Sequence, residues 1–203
     1  MRIALTGGIA CGKSLLSKCL NEAGVETLDA DDVVHALESP GGEAADAVFS
    51  RFGTLDRAEL AALCFGGTPE HKANRRALEA ILFPLVRNRL LSWCGTRGVT
   101  AIAGSPRVAV IPLLFESGWN SDFDITACVS SARETQVRRM METRGMTRGA
   151  AEARIAAQMP MDEKERLSDY VIRNDGTEEE LKREARRFAD FLKEKCRNEQ
   201  RRV

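Results

Sequence analysis

Gly7-Gly8-Ile9-Ala10-Cys11-Gly12-Lys13-Ser14 is the stretch that decides how this 203-residue chain folds. It reads G-x-x-x-x-G-K-S, with the apolar run Ile3-Ala4-Leu5 before it and Leu15, Leu16, Cys19 and Leu20 at helical spacing after it. Strand, glycine loop, helix is the context that makes this pattern a phosphate-binding loop. The glycines let backbone N–H groups turn inward around an anion. The helix that follows points its positive end at the same anion. In such a loop Lys13 reaches the β- and γ-phosphates and the Ser14 hydroxyl ligates Mg²⁺. The stretch predicts a nucleoside triphosphate as ligand and says nothing about what accepts a phosphoryl group.

Composition narrows the class. Lys plus Arg number 30 and Asp plus Glu number 30, so no broad surface for nucleic acid or another polyanion is expected. No apolar run is long enough to span a membrane, and the chain enters its first strand with no targeting segment ahead of it. The six cysteines are scattered and the histidines are only His35 and His71, which argues against a zinc site or a disulfide framework and suits a reducing cytoplasm.

Apolar runs alternate with amphipathic stretches, the pattern of an α/β fold with a parallel sheet flanked by helices. Strands are expected at residues 2–6, 25–28, 100–103, 108–114, 125–130 and 170–172. The first helix runs from Gly12 to Ala23 and stops at Gly24. Residues 38–98 read as helical, at 44–52, 57–65 and 69–94, and form an insertion in a core made of 1–37 and 99–203. An arginine-rich helical pair, 133–143 and 148–158, lies in a segment of about 133–160 that suits a lid. Thr177 and Glu180 have the spacing of a capping box before the C-terminal helix, whose Leu181, Ala185, Phe188 and Leu192 share one face.

Ligands of open α/β sheets sit at the carboxyl ends of the strands. Asp29-Ala30-Asp31-Asp32 falls where the second strand ends, so a carboxylate is expected near the phosphates. Asp29 and Asp31 would share a face of extended chain, and Asp31 is the favoured general base for a hydroxyl acceptor. The competing reading is that one of the pair caps the helix that follows. His35 reads as a surface residue. Pro112-Leu113-Leu114-Phe115-Glu116 ends another strand on the same rim, where Leu113, Leu114 and Phe115 pack on an acceptor or on the core, and Glu116 is the nearest acid. Arg133, Arg138, Arg139, Arg144, Arg148 and Arg154 suit a lid that neutralises a phosphoryl group and excludes water.

Taken together these segments resemble the dephospho-CoA kinase family. The resemblance rests on the loop at 7–14, Asp29-Ala30-Asp31, Gly53-x-Leu55-Asp56-Arg57, Pro112-Leu113-Leu114-Phe115-Glu116, Arg154-Ile155 with Gln158, and Asp169-Tyr170-Val171-Ile172 with Asn174 and Gly176. It covers nearly the whole chain. It implies a P-loop kinase core, a helical CoA-binding insertion, a helical lid, and transfer of the ATP γ-phosphate to the ribose 3′-hydroxyl of dephospho-CoA with Mg²⁺. The residues it implies for ATP are Gly8, Ala10, Cys11, Gly12, Lys13, Ser14, Leu15, Arg138, Arg139 and Asn174. For catalysis they are Lys13, Asp31 and Arg139, and for the substrate Asp31 with Leu113, Leu114, Phe115 and Glu116. A monomer or weak homo-oligomer is expected.

The chain departs from the family pattern at Ala10, Cys11 and Leu15, at Phe83-Pro84 where His-Pro is usual, and at Thr143-Arg144-Gly145 where Arg-Asp-Gly is usual. Two rival readings are another P-loop small-molecule kinase and a regulatory nucleotide switch. Against the second, the chain has no Asn-Lys-x-Asp segment of the kind that reads guanine.

Overall fold

The run Ile3–Gly7 is buried along its whole length and forms the central strand, β1. The computed structural model of the chain describes residues 1–95 and 105–200. Within them the strands β2 (Glu26–Asp29), β3 (Arg107–Val110), β4 (Ile125–Ser130) and β5 (Tyr170–Arg173) join β1 in one sheet of order β2-β3-β1-β4-β5. β1 pairs in parallel with β3 (Ile3 opposite Val108) and with β4 (Ile3 opposite Ile125), and β4 pairs in parallel with β5. A parallel strand covered on both faces reads as a near-continuous apolar run, as β1, β3 and β4 do.

The chain divides into two compact units, Met1–Leu28 with Cys94–Val203, and Asp29–Trp93. In the first, α1 (Lys13–Glu22) packs with α9 (Glu178–Gln200), and Leu16 and Leu20 meet Leu181, Phe188 and Leu192 in one apolar core. The predicted capping box is present: Glu180 N–H donates to Thr177 Oγ1 at 3.3 Å, and Thr177 N–H donates to Glu180 Oε2 at 2.8 Å. The helices α6 (Arg133–Arg144) and α7 (Arg148–Ala156) pair through Val137, Met140 and Ala151.

The second unit is helical: α2 (Ala30–Glu38), α3 (Ala45–Phe52), α4 (Arg57–Cys64) and nearly all of α5 (Pro69–Gly95). The segment Gly53–Arg57 is a helix stop and start. Gly53 ends α3 with a left-handed φ of 74°, and Asp56 opens α4 by accepting from Ala58 N–H at 2.9 Å and Glu59 N–H at 3.0 Å.

Two features differ from expectation and one expectation goes untested. The strand expected at 108–114 stops at Val110; Ile111 N–H still donates to Leu5 O, but Pro112 has no N–H with which to extend the ladder. A helix not predicted from sequence, α8 (Met161–Leu167), follows α7. Its buried member is Lys164, so it carries no apolar period to read. The strand expected at 100–103 lies outside the described residues.

Candidate active site

The loop between β1 and α1 is held by close approach. Gly7 lies against the Val129 backbone and Gly12 against the Asn174 amide, and a Cβ at either would collide. Gly12 also has φ 94°, a conformation that only glycine adopts freely, and it stands as N-cap with no side-chain cap on α1. A helix start of this kind aims its first amides toward an anion. Lys13 folds back over the loop, its Nζ donating to the carbonyls of Gly7 and Gly8 at 2.9 Å each. Ser14 is exposed in the first turn of α1, whereas Leu15 packs against the core.

Three consecutive loop residues are each gripped by a side chain from the arginine-rich region. Gln158 Oε1 accepts from Ile9 N–H at 2.9 Å. Arg139 Nη1 donates to Ala10 O at 3.3 Å. Gln136 Nε2 donates to the Cys11 thiol sulfur. Arg139 is held in turn by Ser131 Oγ (3.2 Å) and Asn174 Oδ1 (3.5 Å), and Asn174 Nδ2 donates to Cys11 O at 2.9 Å. Asn174, 5 % exposed, is thereby a strut beneath the loop. Helical geometry separates the neighbouring arginines. Arg138 is exposed and lines a groove with Glu134, Met141 and Arg148, while Arg139 faces the loop.

The end of β3 is built around a buried cation. Lys164 is fully buried, and its Nζ pairs with Glu116 Oε1 at 2.8 Å and donates to Pro112 O at 3.0 Å. Glu116 Oε1 also accepts from Met159 N–H at 3.0 Å, and Thr6 Oγ1 donates to Pro112 O at 3.2 Å. Leu114 and Phe115 are buried and Leu113 is half-buried. Glu116 is therefore engaged by a lysine, not standing alone on the rim.

The acidic pair differs from its expected geometry. Asp29 and Asp31 do not alternate along extended chain, because α2 begins at Ala30. Asp29 is its N-cap, accepting from Asp31 N–H at 2.9 Å, and Asp31 is an exposed residue of the first turn. The cap reading thus holds for Asp29, and Asp31 sits where a helix favours negative charge. His35 is exposed, as expected.

Sequence reasoning missed Ser131, Gln136 and Lys164. Gln136 and Lys164 lie on mostly charged helices and Ser131 just past the end of β4, where a polar residue carries no sign of burial until the fold supplies its partner.

A parallel sheet with the phosphate loop at the end of its central strand, closed by a lysine and braced by arginine, is the framework of a P-loop kinase. The same fold is found in the shikimate kinase of Acinetobacter baumannii, at 16% identity and TM-score 0.52 over 94% of this chain and 89% of that one. A protein of solved structure from Thermus thermophilus aligns with TM-score 0.74 and 33% identity, over 95% of this chain and 97% of that one. The dephospho-CoA kinase family model matches residues 1–180. The dephospho-CoA kinase of Geobacillus kaustophilus is 39% identical over 193 residues, covering 91% of this chain and 92% of its own. That of Symbiobacterium thermophilum is 40% identical over 186 residues, covering 86% and 74%. The chain belongs to the dephospho-CoA kinase family.

Proposed function

We propose that the protein transfers the γ-phosphoryl group of ATP to the ribose 3′-hydroxyl of dephospho-CoA, yielding CoA and ADP, the last step of coenzyme A biosynthesis. The observation that carries this reading is the family match across residues 1–180, which supplies the acceptor. The loop geometry supports the donor half. The bonds from Lys13 to two neutral carbonyls are weak beside those it makes to charged phosphates, so ATP draws Nζ outward. The loop amides and the start of α1 hold the phosphate oxygens.

Phosphoryl transfer proceeds through a loose transition state, so positioning and charge neutralisation supply most of the rate. Arg139 is the residue for the equatorial oxygens, since its planar fork is already anchored by Ser131 and Asn174. Asp31 orients the 3′-hydroxyl and accepts its proton. The insertion is the CoA-binding region that the family resemblance implies, and Leu113 and Glu116 are substrate residues that it implies. The α6–α7 pair acts as the lid.

Among the described residues no group of three or more His, Cys, Asp or Glu is arranged to hold a metal. A lone exposed hydroxyl, Ser14, fits Mg²⁺, an ion that keeps water and substrate phosphates as most of its ligands. When bound, Mg²⁺ neutralises charge on the β- and γ-phosphates. Six free cysteines support a cytoplasmic setting. A monomer or weak homo-oligomer that binds neither nucleic acid nor membrane completes the reading.

The test is incubation with ATP, Mg²⁺ and dephospho-CoA, separating products by chromatography. Equal amounts of ADP and CoA are expected; no CoA above background overturns the assignment.

A further inference from the structure

Lys164 has no part in the donor or acceptor contacts proposed above, yet it is a fully buried charged side chain, among the largest buried side chains of the described residues. Burying an ion pair stabilises a fold little, because the desolvation cost offsets the attraction. Such a pair is better placed to fix a geometry. Here the geometry joins two parts of one rim. Lys164 Nζ holds Glu116 Oε1 at 2.8 Å and Pro112 O at 3.0 Å, which anchors the chain leaving β3. Met159 N–H donates to that same Oε1 at 3.0 Å, and its neighbour Gln158 holds Ile9 N–H of the phosphate loop at 2.9 Å. Residues 158–164 are thus a strap. One end grips the loop that binds the phosphoryl donor and the other grips the carboxylate at the β3 exit. Thr6, in β1 just ahead of the loop, meets the strap at Pro112 O.

We infer that Lys164 is a positioning residue for phosphoryl transfer, acting through Glu116 to set the spacing between the β3-exit segment and the phosphate loop. This rests on the kinase reading above. Reacting atoms tolerate little displacement, and a shift of about 1 Å costs on the order of 100-fold in rate. Lys164→Met keeps an unbranched side chain, one heavy atom shorter, and removes both bonds. Donor binding is left to Lys13, Arg139 and Gln158, none of which touches Lys164 in the bonds described.

The experiment first counts folded protein by titration with a fluorescent ATP analogue, then measures turnover per competent site. The expected result for Lys164→Met is full binding stoichiometry, an ATP-analogue Kd within about twofold of wild type, and kcat lowered about tenfold or more. A purely structural lysine would lower the melting temperature or the competent fraction while leaving turnover per site within twofold, and that outcome overturns the inference. Lys164→Gln, whose amide still donates one bond, is run alongside in case the methionine variant does not fold. A smaller loss of kcat, at least threefold, is expected there, and wild-type turnover per site is again the overturning result. Assays use the acceptor that wild type phosphorylates best from a panel including dephospho-CoA. Failure of wild type on dephospho-CoA therefore counts against the proposed substrate, and failure of the variants to slow counts against Lys164.

Discussion

Asn174 donates its amide N–H to the Cys11 carbonyl at 2.9 Å, joining the end of β5 to the phosphate loop across 163 residues of sequence. Its Oδ1 faces Arg139, its own carbonyl accepts from Ser131 Oγ at 2.7 Å, and its backbone N–H reaches Ser130 O at 2.8 Å. Both ends of its side-chain amide serve the loop or its arginine, while its backbone groups tie it to Ser130 and Ser131. Asn174→Ala leaves the Cys11 carbonyl and Arg139 each short of a partner. A stability loss of about 1–3 kcal/mol is expected, with weaker ATP binding. Denaturant melts with and without ATP measure both; unchanged ATP affinity would refute the strut.

Arg139→Lys tests the fork. One ammonium cannot span Ala10 O, Ser131 Oγ and Asn174 Oδ1 as the guanidinium does. Turnover is expected to fall about tenfold or more. A lysine variant with wild-type kcat would remove Arg139 from the transition state.

Ala10 has φ 59°, a left-handed conformation that costs an L-residue about 1–2 kcal/mol. Glycine adopts it without strain, at the cost of a more flexible unfolded chain. Ala10→Gly is expected to stabilise by about 1 kcal/mol, a rise of about 2–4 °C in melting temperature for a chain of this size. Calorimetry decides, and a lower melting temperature contradicts the strain argument.

Asp29 and Asp31 have separable tasks. Asp31→Asn is expected to lower kcat by about 10²–10⁴-fold while ATP binding persists. Asp29→Ala removes the cap of α2 at a cost of about 1 kcal/mol, and Asp29→Asn, which still caps, does not. Normal turnover in Asp31→Asn would move the base elsewhere.

Burial, with a smaller contribution from Cys11, pushes the Cys128 thiol from 9.0 up to about 12. Thiolate is the reactive form, so iodoacetamide near pH 9 should leave Cys128 unlabelled in the native protein and label it after unfolding. The folded state raises this pKa, so the thiol's stabilising contribution is complete below the unfolded value and declines as pH climbs from 9.0 toward about 12. Cys128→Ala should flatten that alkaline decline. Mass spectrometry and alkaline melts read the two effects, and native labelling at pH 9 would contradict the burial.

The phosphate loop was legible because its requirements are local. Gly7 and Gly12 answer to close approach and to a positive φ, and Lys13 follows at fixed spacing. The apolar runs of β1 and β4 and the capping box of Thr177 and Glu180 were legible for the same reason. Where the chain folds against its local signal, reading failed. Lys164 sits in a polar heptapeptide, Asp29 caps a helix where extended chain was expected, and Pro112 cuts short an apolar strand.

Sequence alone therefore determined the strand-loop-helix unit, the alternation that builds a parallel sheet and, through family resemblance, the chemistry. Only the tertiary structure decided which polar side chains brace the loop. Ile9, Ala10 and Cys11 are held by Gln158, Arg139, Gln136 and Asn174, all more than a hundred residues away. Hydrogen bonds across such separations have no period or spacing in the chain. They exist because parallel strands bring their carboxyl ends to one rim, and the polar groups gathered there must find partners or stay unsatisfied.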